Sequence, residues 1–257
     1  TNVNIYTDKS YYFLNISAGN GKRITTMQQP VGSPDLMIDT FYDYKFHELD
    51  EYNLVKAGRR WFGDRFDIEP LKTFQFEFPN LVSSSPVQFK VYAAAVAQSQ
   101  TSMQVNVNGS AVETLNFSSI DDDILATEDW VNNTISVSGN TLNVSLEYNN
   151  NGNPSALAYL DYISIEAQRG LTYTGDQLLF KNYDVAQNTG IGQYNISNAT
   201  NVLEVWEITD KYNPTSMVNT DNASTLSFNS ALGSLKTFIA FDNSNLLNPL
   251  KDSNSNV

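Results

Sequence analysis

The stretch Val87-Gln88-Phe89-Lys90-Val91-Tyr92-Ala93 has an apolar side chain at every odd position, with Gln, Lys and Tyr between them. Successive side chains of a strand point to opposite faces, so this period of two reads as a half-buried β-strand and not a helix. The same alternation, on even positions, runs through Thr141-Leu142-Asn143-Val144-Ser145-Leu146-Glu147-Tyr148. Met103, Val105 and Val107 alternate with polar residues and run into Asn108-Gly109, a strong hairpin signal. Gly139-Asn140 separates Ile135 and Val137 from Leu142 and Val144 in the same manner. Asn20-Gly21 separates a strand around Tyr11-Tyr12-Phe13-Leu14 from one around Arg23-Ile24. Further strands are expected over 36–46, 73–78, 156–167, 177–181, 202–208 and 236–241.

The pattern predicts an all-β chain of two β-sandwich-like domains, the first jelly-roll-like, with at most one or two short helices. One short helix is expected around Leu49–Lys56, with Asp50 in its first turn and Gly58 just past its end. The boundary is expected near Gln168-Arg169-Gly170, where a long strand ends and shorter strands with Asn-rich loops begin. This divides the chain into a first sandwich at 1–168, a smaller one at 171–245, and a linker at 246–257.

The 257 residues are 41% hydrophobic with 14 Tyr and 14 Phe, enough apolar matter for real cores. Charged residues are only 17%, and the net charge is −13. Such a surface repels phosphate backbones, so nucleic acid is not an expected partner. No stretch approaches the roughly 20 apolar residues that span a bilayer. Zero cysteines exclude disulfides and thiol nucleophiles, and one histidine, His47, limits any triad to that residue. The chain opens on Thr1 and closes on the polar run Lys251 to Val257, and both ends are expected to be cuts through a longer polypeptide.

Few residues offer chemistry. His47-Glu48-Leu49-Asp50-Glu51 begins like a zinc-protease motif, but Glu51 stands where the second His belongs. The acids Asp39, Asp43, Glu48, Asp50 and Glu51, and the run Asp121-Asp122-Asp123, supply oxygens of the kind Ca²⁺ takes, without EF-hand spacing. Solvated loop charge is the plainer reading, and no cofactor is expected beyond the option of a structural calcium. Asp161 interrupts the apolar strand Leu157–Ile165; if Tyr159 and Ile163 point inward it does too, and a buried carboxylate needs a partner. In Gly58-Arg59-Arg60-Trp61-Phe62-Gly63, two glycines bracket two guanidiniums and two aromatics. Arg59, Arg60, Trp61 and Phe62 read as an exposed recognition patch, or as a plug of the sandwich edge by Trp61 and Phe62 with an arginine paired to carboxylates. No catalytic residue is assigned.

His47-Glu48-Leu49-Asp50-Glu51-Tyr52-Asn53 followed by Gly58–Gly63 resembles the region upstream of the peptidase domain in the PorU family, the gingipain-like sortases of the Bacteroidetes type IX secretion system. Tyr6-Thr7-Asp8-Lys9-Ser10-Tyr11-Tyr12-Phe13, Phe76-Glu77-Phe78-Pro79-Asn80, Leu160-Asp161-Tyr162-Ile163 and Val205-Trp206-Glu207-Ile208-Thr209 also fit. The resemblance implies a non-catalytic part of a cell-surface, outer-membrane-associated cysteine peptidase. Such a peptidase removes C-terminal sorting domains from secreted cargo and helps attach the cargo to lipopolysaccharide. It implies as partners the β-barrel PorV, the attachment-complex proteins PorQ and PorZ, and the sorting domains themselves. The family's catalytic Cys and His lie downstream of the matched region, so nothing catalytic is carried over. The alternative is a carbohydrate-binding β-sandwich of a secreted or surface glycan-active protein, for which an aromatic platform would be the mark.

Overall fold

Alternation becomes architecture in strand Val87–Val96, where Val87, Phe89, Val91, Ala93 and Ala95 are buried while Gln88 and Lys90 face water. The computed structural model describes residues 18–56, 60–121, 123–244 and 246–248. Among them the strands are β1 (Thr25–Thr26), β2 (Leu36–Ile38), β3 (Thr40–Glu48), β4 (Gly63–Phe66), β5 (Leu71–Glu77), β6 (Val87–Val96), β7 (Thr101–Val107), β8 (Ser110–Phe117) and β9 (Thr127–Ile135). They continue as β10 (Thr141–Asn149), β11 (Leu157–Gly170), β12 (Gln177–Phe180), β13 (Ile191–Ser197), β14 (Glu204–Glu207), β15 (Thr215–Val218), β16 (Thr225–Ala231) and β17 (Phe238–Phe241). The one helical element among the described residues is a 3-10 turn, Tyr183–Gln187, capped by the Asn182 side chain. The chain is all-β.

The first sandwich faces a sheet in the order β5-β10-β7-β8 with one in the order β3-β11-β6-β9, β4 adding to β11. Every pairing here is antiparallel. Phe89, Val91, Ile163 and Ile165 from one sheet meet Val105, Leu115, Leu142 and Leu146 from the other. Each such side chain contributes roughly 1.5–3 kcal/mol by leaving water. Asn108 and Gly109 both take positive φ (50° and 78°), the geometry of the tight turn that joins β7 to β8.

The second sandwich faces a sheet in the order β1-β15-β14-β17-β12 with one in the order β16-β13-β2. Its core is aromatic: the rings of Tyr194 and Phe228 stack 5.1 Å apart, and Phe238 and Phe180 pack beside them. β1 and β2 pair in parallel with β15 and β13, and Met27, Ile38 and Phe41 belong to this second core. The division at 168–171 therefore does not describe the strand pairing, because the second sandwich draws on chain before the first as well as after it. The Tyr11–Leu14 strand, and most of the expected linker, lie outside the described residues.

Two other local expectations give way. Leu49–Lys56 forms no helix; the Glu51 and Tyr52 amides instead donate to the Phe62 carbonyl, and Tyr52 accepts from Phe62 N–H in an isolated bridge. Gly139-Asn140 joins strands of different sheets, β9 and β10, so it turns a corner between layers and makes no hairpin.

Candidate functional site

Of the Gly-Arg-Arg-Trp-Phe-Gly segment the described part, residues 60–63, lies across one end of the β3-β11-β6-β9 sheet, on the face away from the core. Phe62 is buried against Ala94 and Tyr159, with Tyr52 and Leu54 beside them, in a cluster separate from the main core. The Tyr52 and Tyr159 rings lie 5.1 Å apart. Gly63 permits this seating: a Cβ there would stand 2.3 Å from Leu49 Cβ and 2.7 Å from the Leu49 carbonyl oxygen. Asp64 follows as the extra residue of a bulge opposite β11, at φ 32°. Its carboxylate sits 2.5 Å from His47 Nε2, and the His47 ring packs on Phe74. Trp61 is partly exposed, and Arg59 lies outside the described residues.

Arg60 closes the covered end. Its Nε and Nη2 donate to one Asp161 oxygen at 3.0 and 2.7 Å, and Nη1 donates to Glu128. Its guanidinium lies 4.2 Å from the centre of the Tyr92 ring, whose hydroxyl donates to Glu128 at 2.8 Å. Burial works against the charge on Arg60, yet Asp161, Tyr92 and Glu128 together hold its pKa above the ordinary value. Burial also raises Asp161 above the usual carboxylate range, and the Arg60 hydrogen bonds oppose but do not cancel that shift.

Asp161 is itself the extra residue of a bulge, because Leu160 pairs with Ala93 and Tyr162 with Tyr92. The bulge reverses the strand's parity. Leu160 and Ile163 enter the main core, whereas Tyr159 turns to the opposite face and packs under Phe62. The condition under which Asp161 would point inward, Tyr159 and Ile163 both inward, is not met, because the inserted residue puts those two on opposite faces.

Beyond Arg60 the same face is open. Trp130, Tyr92, Tyr162 and Glu48 form one row across β9, β6, β11 and β3; the next row is Asn132, Lys90, Ser164 and Phe46, and the third is Thr134, Gln88, Glu166 and Tyr44. Trp130 stacks on Tyr92 at 5.3 Å and 8°, and Tyr44 stacks on Phe46 at 6.1 Å. Trp130, Tyr44 and Phe46 remain 54%, 54% and 61% exposed, so large rings stand in water at both edges of the face. The far end is walled by the 3-10 turn of the second sandwich, where Tyr183 Oη donates to Glu166 at 2.9 Å and the Tyr183 ring meets Tyr42 at 4.9 Å. These exposed aromatics are the feature that motif reading misses. The signal for them was Tyr42, Tyr44 and Phe46 alternating with Asp43, Lys45 and His47.

Other candidates dissolve into local roles. Asp121 accepts from the amides of Asp123 and Ile124 and so caps a turn. Asp43 pairs with Arg169 at 2.6 Å. Among the described residues no group of three or more His, Cys, Asp or Glu is placed to hold a metal ion, and no helix is long and apolar enough to cross a membrane.

Fold and site define a pair of β-sandwiches, the first with an open, partly aromatic outer face. No family model matches the chain, and no curated protein matches it. Among solved structures it is similar to dimeric latent PorU from Porphyromonas gingivalis, at TM-score 0.70 and 19% identity, over 86% of this chain and 22% of that one. At that identity the likeness is one of fold, and the chain spans about a fifth of the PorU polypeptide. It also aligns with a CBM36 carbohydrate-binding module in complex with calcium and xylotriose (TM-score 0.29, 15% identity, 39% of this chain and 77% of that one). A CBM36-1 domain of a xylanase from the hindgut metagenome of Trinervitermes trinervoides aligns at TM-score 0.32 and 10% identity, over 48% and 96%. These two likenesses are too slight to bear on function.

Proposed function

We propose that this chain is the non-catalytic β-sandwich part of a PorU-type sortase, exported and held at the outer-membrane surface. There it positions a cysteine peptidase domain and meets the partners of that enzyme. The observation that carries this reading is the shared arrangement of both sandwiches with PorU over 86% of the chain. The zero-cysteine inventory agrees with it, since the chemistry then belongs to another domain of the same polypeptide. The expected partners are a PorV-type barrel, PorQ- and PorZ-type proteins, and the C-terminal sorting domains of cargo. The strand edge best suited to receive an extended segment is β5, which among the described residues pairs only with β10 and leaves Leu71 half-exposed.

The test is a pull-down from outer-membrane extracts with the full polypeptide and with a version lacking residues 18–248. Loss of the PorV-type barrel or of cargo in the shortened protein supports the reading. Undiminished capture of both sinks it.

A further inference from the structure

In the open half of the outer face the second and third rows have a polar middle, Lys90 and Ser164, then Gln88 and Glu166, bordered by large rings: Trp130, Tyr92 and Tyr162 in the first row, and Phe46 and Tyr44 along β3. Lys90, Asn132 and Ser164 form the floor, and neither Lys90 nor Asn132 makes a side-chain hydrogen bond to any described residue. Trp130 stands at one edge, Tyr44 and Phe46 at the other. Three inter-strand steps separate the edges, about 14 Å. A protein-binding patch has the reverse anatomy, an apolar centre inside a polar rim. A polar floor between flat apolar rings suits a ligand that offers hydroxyls and C–H faces together, as a sugar chain does.

Charge narrows the choice. The face and its ends carry five acids, Glu48, Glu128, Asp161, Glu166 and Asp184, against three bases, Arg60, Lys90 and Lys181. Arg60 is already committed to Asp161 and Glu128. A phosphorylated or uronic-acid polymer would meet net repulsion here.

We propose that this face binds a neutral glycan chain, with sugar rings stacked on Trp130 at one edge and on Tyr44 and Phe46 at the other. Hydroxyls of the chain hydrogen-bond to Lys90, Asn132 and Ser164 on the floor. The ends of the site are set by Arg60 on the covering loop and by Tyr183 of the second sandwich, so the glycan crosses the strands and does not run along them. This role is independent of whether the chain serves a sortase.

The experiment is affinity electrophoresis of the chain through gels containing xylan, glucomannan, mannan or mixed-linkage β-glucan, with polygalacturonate and lipopolysaccharide as anionic probes. At least one neutral polysaccharide should retard migration. Trp130→Ala, and separately Tyr44→Ala with Phe46→Ala, should weaken that retardation about tenfold, a change of 1.4 kcal/mol. Trp61→Ala should leave it within about twofold, and urea unfolding of each variant shows that the fold is retained. Three results overturn the proposal: no retardation by any neutral polymer, retardation by the anionic probes alone, or retardation insensitive to both sets of edge substitutions. None of these touches the pull-down of the 18–248 deletion, so the two readings fail separately.

Discussion

The two sandwiches differ in how they take up the chain. Every strand of the first, β3 to β11, comes from the unbroken run 40–170. The second combines β1 and β2 with β12 to β17, so Thr25 pairs with Thr215 and Gly192 with Leu36. The first is thus an insertion within the second. What makes a unit here is the closure of its sheets, and proximity along the chain does not guarantee it.

Cutting the chain breaks this comparison most severely. Residues 40–170 alone should unfold cooperatively in urea, followed by circular dichroism, since their sheets and main core are complete. Residues 171–244 alone should show no cooperative transition, because they lack two strands and three core side chains, Met27, Ile38 and Phe41. A cooperative transition from 171–244 would show that β1 and β2 are additions to a finished fold.

Next in size is the hinge between the units. Arg169, at the end of β11, is buried, donates to Asp43 and to the Pro79 carbonyl at 2.6 Å each, and lies over Phe41 of the second core. Arg169→Met strands the Asp43 carboxylate and should cost about 3–5 kcal/mol in urea unfolding, with much of it recovered when Asp43→Leu is added. Phe62→Ala, which opens the covered end of the outer face, should cost roughly 3 kcal/mol in the same assay. Asp161 tests the border between covered and open ends by pH. An acid that holds its proton more tightly folded than unfolded adds stability that is present at low pH and lost as pH rises through its folded value. Stability should therefore fall from about pH 4 upward in a component that Asp161→Asn removes; the same pH dependence in both proteins would show that the Arg60 pair cancels burial. The smallest effect belongs to the open end: Trp130→Ala should change stability by under about 1 kcal/mol, the range of a cross-strand pair.

What was legible in the sequence follows from what a local pattern can encode. The period of two located β6, β7 and β10, and Asn108-Gly109 located the hairpin that follows β7. Strands were expected around Arg23-Ile24 and over 36–46, but the pattern could not reveal that β1 and β2 are two and three residues long and pair with partners more than 150 residues away in the second sandwich. The need of Asp161 for a partner was readable; the bulge that swings it toward Arg60 was not, since an inserted residue shows only against the facing strand. The open face went unread for a different reason. Alternation in Tyr42–His47 separates two faces without saying which is wet, and aromatics are normally assigned inside. Here Lys45 and His47 sit over Phe78 and Phe74 on the core side, while Tyr44 and Phe46 face solvent. The Leu49–Lys56 helix fails because the Glu51 and Tyr52 amides are committed to Phe62, a partner outside any local window.

The insertion also decides how the molecule bears load. Chain enters the sheet β1-β15-β14-β17-β12 at Thr25 and leaves it at Phe241. Tension applied between Ile24 and Asp242 runs across β15 and β14 within that single sheet. The first sandwich hangs outside this line, attached through the chain near Asp39 and Leu171, whose carbonyl and amide are joined at 2.7 Å. A pull transmitted along the polypeptide would strain one sheet of the second sandwich and leave the open aromatic face of the first at rest.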